Sequence, residues 1–551
     1  MAYVITQNCC KDASCVPVCP VDCIRPAGDD SDSPITEMLY IDPDSCIDCG
    51  ACMDACPVGA IYYEDELPDS QLRFRSINAE YFARHPLQSP TYPPVVKHGR
   101  IEPGALRVAI VGAGPAACYA ADALIDIDGV EVVVFERLPT PFGLVRAGVA
   151  PDHQRTKSVV SAFERAMSSK RLAAYLNVDV GTDIDHDELL RYHHAVIYAV
   201  GMTHSKELGI PGEQLPGSYA ASDVVAWYNG HPDHIDRRID LTGHRAVIIG
   251  NGNVALDVAR ILLAGTAHLE STDITDDALD SLGDSTVEEV VIVGRRGIRH
   301  AAFSVGEFLA LGSLQGVDVV IEGDDDLEPA PDDDVETVFK LQIAREYAEK
   351  PPTPGHRRVV FRFQARPVEI LGPDRVSGVR LVRTAAGAAG PGADQGEILP
   401  TSLVLRSIGY RGTAVGGLPF SSDTGIVPNE AGRVVDDQGH VRTGVYVTGW
   451  IKRGPRGVIG TNRGCAEETV AAVLGDFDNG LLERPIGGRA DLDAALADRG
   501  VTHVDWSGWR AIDAAERRAG DARSRPRVKL VDIASMLAAV TPANSTPGPQ
   551  A

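Results

Sequence analysis

The stretch Arg107–Arg137, RVAIVGAGPAACYAADALIDIDGVEVVVFER, decides how the rest of the chain is read. Val108 to Val111 is a short apolar run, Gly112-Ala113-Gly114-Pro115-Ala116-Ala117 breaks it, a helical pattern follows, and Val132 to Phe135 is a second apolar run closed by Glu136. Strand, turn, helix and strand in that order predict a nucleotide-binding unit. Gly112 and Gly114 let the chain turn tightly and let a pyrophosphate approach the backbone at a helix N-terminus. Ala117 stands where a third glycine is usual, and Glu136 is placed to hydrogen-bond an adenosine ribose. Alone, the turn supports only a dinucleotide of some kind.

The theme recurs at Arg245–Leu263, RAVIIGNGNVALDVARILL, with Gly250-Asn251-Gly252-Asn253-Val254-Ala255 as its turn. Two such units argue for two dinucleotides, a duplicated Rossmann-like domain being the plainer form of the same fact. The next apolar run, VEEVVIVG, is followed by Arg295-Arg296, where an NAD site would prefer an acid. Two guanidinium groups can grip a ribose 2'-phosphate, which points to NADP for the second unit and leaves FAD for the first. A pair of surface arginines with no ligand is the alternative.

At 551 residues the chain exceeds a single core, and two to four domains are expected. A net charge of -25 argues against nucleic acid and favours a basic protein partner. No apolar run is long enough to span a bilayer, and the N-terminus lacks the pattern of a signal peptide. A cytoplasmic protein without a membrane partner is the expectation.

Of eleven cysteines, all but Cys118 and Cys465 lie between Cys9 and Cys56. In a reducing compartment that clustering predicts metal or redox chemistry, not disulfides. Cys46-Ile-Asp-Cys49-Gly-Ala-Cys52-Met-Asp-Ala-Cys56-Pro57 has the spacing bacterial ferredoxins use for iron–sulfur clusters, with a zinc ribbon as the alternative. In the two-cluster pattern the fourth cysteine serves the other cluster, so Cys46, Cys49 and Cys52 need a partner, and Cys19 before Pro20 supplies it by symmetry. That predicts a [4Fe-4S] site. The first half of the pair is irregular, with one ligand missing or misplaced, which predicts a [3Fe-4S] site on Cys9, Cys15 and Cys56. The flanking text AYVITQNC, CPVDCI and CPVGAIYYEDE resembles the seven-iron bacterial ferredoxins. That resemblance implies a free thiol at Cys23, and a shortening between Cys9 and Cys15 leaves the role of Cys10 open. Residues 1–70 carry many acids against only Lys11 and Arg25, read either as solvated surface or as a docking face for redox partners.

The text LPTPFGLVRAGVAPDHQRTK after the first unit carries a second resemblance. Residues 106–475 resemble the adrenodoxin reductase family of ferredoxin–NADP reductases, and the whole chain resembles the fused ferredoxin/ferredoxin–NADP reductases of actinobacteria. The resemblance implies that Ala113, Glu136, Leu144, Val180, Trp450 and Gly457-Val458-Ile459 contact FAD. It also implies that Gly457 and Glu307 border the nicotinamide, that Arg295 and Arg296 hold the 2'-phosphate, and that His153 lies near the flavin, where it could order water or relay a proton. Lys206 stands where relatives tend to carry an arginine near the nucleotide.

The expected fold is an α+β ferredoxin-like domain joined to an α/β flavoprotein with FAD and NADP domains. Its expected bounds are a ferredoxin domain at 1–68, a linker at 69–105 with one short helix around Ile77–Arg84, FAD segments at 106–208 and 401–475, an NADP domain at 209–400, and a helical tail at 476–551 ending in disorder. The acidic stretch LESTDITDDALDSLGDST is expected to be solvated surface. The expected reaction passes hydride from NADPH to FAD and single electrons onward to iron–sulfur clusters, a ferredoxin or another acceptor such as a cytochrome P450 system, in a monomer. With no Cys-x-x-Cys in the reductase part, disulfide reduction is disfavoured. The rival readings are an electron-input subunit of the glutamate synthase small-subunit type and a sensor or scaffold without turnover.

Overall fold

Two sheets, the first parallel with an antiparallel edge and the second parallel throughout, carry the two glycine turns in this computed structural model, which describes residues 2–25, 37–87, 98–323, 326–384 and 396–540. In the first, strand Arg107–Val111 lies between Ala195–Tyr198 and Glu131–Glu136, with Leu172–Leu176 beyond and Val441–Val447, Arg433–Val435 and Asn429–Glu430 on the other side. In the second, Arg245–Ile249 lies between Leu403–Arg406 and Glu289–Val293, in an all-parallel sheet completed by Ser218–Ala220, Arg357–Arg362 and Val317–Glu322. Their central strands are Val, Ile and Ala on both faces because both sides are covered, by helices except on one face of the second sheet, where the antiparallel strands Ala365–Leu371, Gly378–Arg383 and Glu397–Pro400 pack, so no solvent face remains to alternate. Each turn thus sits at a strand's carboxyl end where the sheet order reverses, the place such sheets bind nucleotides.

The expected bounds shift at three places. The chain does not leave the NADP sheet at 400, because Leu403–Arg406 pairs there with Arg245–Ile249 through Ala246↔Leu403 to Ile249↔Arg406. The crossing comes at Tyr410–Arg411, which pairs antiparallel with His204–Ser205 on the outbound strand. The segment after 68 is not free linker at its start. Helix Arg73–Arg84 buries Phe74, Ile77, Asn78, Tyr81 and Phe82, and the Asn78 amide donates to Ile5 O at 2.9 Å and accepts from Ile41 N at 2.9 Å. It therefore ties together the hairpin-like pairs Tyr3–Ile5 with Ile61–Tyr63 and Ile24–Arg25 with Tyr40–Ile41. The short helix expected around Ile77–Arg84 is present and begins one turn earlier, at Arg73.

The tail is a strap. Helices Arg489–Asp498, Trp506–Asp521 and Ile533–Val540 follow the FAD domain. Glu516, fully buried, meets Arg146 at 2.5 Å and Arg527 at 3.1 Å. Lys529 and Lys157 share Asp273, at 2.9 and 2.7 Å. Asp273 belongs to the acidic stretch expected to be solvated, yet it is buried, because two lysines from other segments converge on it. The expected disordered end after residue 540 lies outside the described residues.

Candidate functional site

The first turn is built as the sequence implies. Gly112 has φ 101°, and a side chain there would run into the Ala199 carbonyl at 2.6 Å. Glu136 closes its strand and accepts from Ala113 N at 2.9 Å and Leu138 N at 3.1 Å. Burial pushes its carboxyl up, and these N–H groups draw it back. Gly114 precedes helix Pro115–Ile125, and a side chain there would meet nothing within 4 Å, the open space a pyrophosphate needs. Gly143, just before Leu144, crosses over Gly114, and Gly449, just before Trp450, faces Ala116 of the same helix. Separate segments thus converge on one turn. Leu144 is exposed, Val180 bridges to Ile184, and the Trp450 ring lies 5.4 Å from that of Tyr410. Val458 N donates to Thr461 Oγ1 at 3.1 Å and Ile459 O accepts from Asn462 at 2.9 Å, fixing Gly457–Ile459 at the entry to helix Thr461–Asp478. Arg453 Nη1 is buried with no hydrogen-bond partner, an orphan donor beside this segment. Cradle, orphan donor and close approaches fit FAD.

At the second turn, Gly252 caps helix Asn253–Leu263, flanked by Asn251 and Val254. Arg295 and Arg296 follow the adjacent strand, are exposed, and make no side-chain ion pair among the described residues. Two unpaired guanidiniums at a strand end fit a nucleotide phosphate. Asn253 Oδ1 accepts from Ser304 N at 2.8 Å, while its Nδ2 donates to Glu37 of the cysteine-rich domain at 2.5 Å.

Between the turns lies a charged network that sequence reasoning half found. His153 and Glu307 meet, with Nε2 3.7 Å from Oε1. Around them stand Arg260, Asp152 and Asp257, none anticipated. Arg260, 4% exposed, bonds Asp152 at 2.5 Å, Asp257 at 2.6 Å and Glu307 at 2.9 Å, and reaches His153 Nε2 at 2.8 Å. Burial raises Asp257. Burial also presses on Glu307, but the facing imidazole and guanidinium hold it below the usual glutamate range. The signal was present: Asp257 and Arg260 are one turn apart on the helix after the second glycine turn, and Asp152 precedes His153.

The cysteines divide between two cavities. One is lined by Cys19, Cys46, Cys49 and Cys52, with Cys23 also at its wall; the other by Cys9, Cys15 and Cys56, with Cys10. Burial, reinforced by neighbouring thiols, pushes Cys52 up to about 12 and Cys9 up to about 11. Thiols crowded so that each disfavours its neighbour's charge suit a metal that supplies the missing positive charge. Cys23 N donates to Cys19 Sγ at 3.4 Å. The second cavity faces the flavoprotein: Gly460 N donates to Cys10 O at 2.8 Å, and Arg463 bonds Asp12 O at 2.8 Å. Gln7 Nε2 donates to Glu307 Oε1 at 3.3 Å.

Comparison with known proteins agrees with this geometry. Residues 39–62 match the family described as 4Fe-4S binding domain, and residues 106–296 match pyridine nucleotide-disulphide oxidoreductase. The chain is 46% identical over 551 residues to a probable ferredoxin/ferredoxin–NADP reductase of Mycobacterium leprae, covering 98% of each. It is 45% identical to the NADPH-ferredoxin reductase FprA of Mycobacterium tuberculosis, over 78% of this chain and 98% of that one. A solved structure of Mycobacterium tuberculosis FprA in complex with NADPH superposes with a TM-score of 0.73 at 44% identity, over 79% of this chain and 99% of that one. Fold, cysteine pattern and full-length likeness together place the chain in the ferredoxin/ferredoxin–NADP reductase family.

Proposed function

We propose that this protein is an NADPH-dependent reductase whose own N-terminal domain is its first electron acceptor. The observation that carries this is the 2.8 Å bond from Gly460 to Cys10, which seats one cysteine cavity directly against the segment that approaches the flavin. When bound, FAD takes hydride from NADPH and releases electrons singly to iron–sulfur centres.

The chain's own part is placement. Gly112, Ala113, Gly114 and Glu136 hold the adenosine end of FAD, and Leu144, Val180, Trp450 and Gly457–Ile459 wall its ring. Asn251–Val254 receive the NADP pyrophosphate, and Arg295 and Arg296 the 2'-phosphate. His153 and Glu307 border the reacting face, Glu307 as an anion and His153 with Nε2 accepting from Arg260, since a guanidinium only donates. That contact fixes the neutral ring as its Nδ1–H tautomer and orients it at the flavin's edge, so a proton can enter at Nε2 only in exchange for the Arg260 contact. Cys19, Cys46, Cys49 and Cys52 hold a [4Fe-4S] cluster, and Cys9, Cys15 and Cys56 a [3Fe-4S] cluster.

The outside acceptor in this reading is a ferredoxin or a cytochrome P450 system, and the protein acts as a cytoplasmic monomer. Anaerobic titration with NADPH, followed by optical and EPR spectra, tests the scheme. Bleaching of the flavin should be followed by reduction of iron–sulfur signals. Bleaching alone, in protein whose clusters a strong chemical reductant does reduce at the same potential, would overturn it. A stable large catalytic subunit co-purifying from the native source would instead favour the electron-input reading.

A further inference from the structure

We propose that Val18, Val21, Ile47 and Met53 form the docking surface for a second, basic one-electron acceptor protein. The proposal rests on the electron-transfer reading above and concerns where electrons leave. The two cysteine cavities differ in what covers them. The Cys9/Cys15/Cys56 cavity is closed off by the flavoprotein, through Gly460 on Cys10 and through Ser158 and Arg155 on the carbonyls of Pro57 and Gly59. No second protein can reach it while those contacts stand. The Cys19/Cys46/Cys49/Cys52 cavity opens outward, and Cys49 is exposed.

Around that opening the surface is apolar. Ile47 is 59% exposed, Met53 42%, Val18 41% and Val21 37%. Val21 and Ile47 line the cavity, Val18 precedes Cys19, and Met53 follows Cys52. Single exposed apolar residues are ordinary, but four grouped at one opening mark a contact surface. The cluster-bearing cysteines need burial against Ile24, Ile41 and Cys23; they do not need large apolar side chains turned to water.

Charge selects the occupant. Asp44, Asp48, Asp54 and Glu66 are exposed around the patch. The only cations among residues 2–67 are Lys11, at the other cavity, and Arg25, bound to Asp22 at 2.8 Å. An apolar centre with an acidic rim fits a partner with an apolar redox edge inside a ring of lysines. It repels a second copy of this chain, whose net charge is -25, as well as nucleic acid and anionic lipid.

The test uses the full-length protein with its cofactors and measures binding of cytochrome c, a lysine-rich haem protein, by calorimetry at low salt. Val18→Lys/Met53→Lys should raise Kd by on the order of tenfold or more, and Val18→Lys alone by less. Leu481→Lys places the same charge at a site 56% exposed on the flavoprotein and should leave Kd unchanged. Iron content and visible spectra identify any variant that fails to fold, and ferricyanide reduction by NADPH should match the parent in all three. An unchanged Kd in the double variant, or equal weakening by Leu481→Lys, overturns the proposal. Because binding is read without electron flow, clusters that NADPH cannot reduce would sink the relay and leave the docking result standing.

Discussion

Arg260 donates to Nε2 of His153 at 2.8 Å and to Oε2 of Glu307 at 2.9 Å, so one buried guanidinium joins the two groups nearest the expected hydride path. It also holds Asp152, which burial alone would raise, below the usual carboxylate range. Arg260→Met leaves three carboxylates without their cation, and breaking a buried network of this kind costs about 3–5 kcal/mol. The depressed carboxylate stabilises the parent above the unfolded Asp value of 3.8, and that stability is lost as pH falls through the folded value. The deficit of Arg260→Met in thermal unfolding should therefore be full at neutral pH and narrow only below pH 3.8, as Asp152 protonates. A deficit independent of pH would show that the guanidinium acts by packing.

Glu336 couples domain docking to pH. Tyr40 Oη donates to its Oε1 at 3.2 Å across the interface with helix Val335–Glu349. Burial pushes Glu336 up to about 7, with Glu37 and Asp334 adding to the rise and Lys340 and Tyr40 opposing it. A folded value above the unfolded one gives stability that is full below 4.5 and lost as pH rises through about 7. The parent should thus lose thermal stability from pH 4.5 to about 7, and no further above that, relative to Glu336→Gln, whose amide does not ionise. Parallel curves for the two proteins would refute the assignment.

Both glycine turns and the cysteine run were legible because each is a local pattern with one mechanical meaning, and the two sheets follow from them. Arg260 was not, because its role needs Asp152-His153 and Glu307 brought to it from two other segments. Helix Arg73–Arg84 was legible from Ile77 onward, while its first turn was not, although Phe74, Ile77, Tyr81 and Phe82 recur at helical spacing. The shared burial of Asp273 by Lys157 and Lys529 lies on no sequence period, so an acid-rich stretch looked solvated.

Cys10 and Cys23 stand beside the expected ligands and can be separated from them. Burial, followed by its thiol neighbours, holds each thiol well above its ordinary value. Cys10→Ser and Cys23→Ser should keep full iron content. Serine at 9, 15 or 56 should remove one EPR signal, and serine at 19, 46, 49 or 52 the other. Iron loss in Cys10→Ser equal to that in Cys9→Ser would make Cys10 a ligand and the site four-iron.

Arg295 and Arg296 should govern the choice between NADPH and NADH. Neither makes an ion pair among the described residues, so Arg295→Ala/Arg296→Ala should leave the melting temperature unchanged. Losing a charge-assisted phosphate contact costs about 1.5–3 kcal/mol, so kcat/KM for NADPH should fall by on the order of tenfold or more while that for NADH holds. An unchanged ratio of the two would remove both residues from the site.

Gly460 offers the cleanest way to part the two halves of the enzyme. Its φ of -69° is ordinary for any residue, so a side chain causes no backbone strain. The obstacle is external: a first side-chain carbon would stand 2.1 Å from the Lys11 backbone and 2.2 Å from Asp12 N. Gly460→Val must therefore push the cysteine-rich domain away from the flavoprotein while leaving both folded. Ferricyanide reduction by NADPH, which needs only the flavoprotein, should remain near the parent rate. Reduction of the iron–sulfur signals by NADPH should slow by on the order of tenfold or more, since a tether keeps the domain nearby without seating it. Equal rates in parent and variant, followed by stopped-flow absorbance, would mean that the seated contact is not the route electrons take.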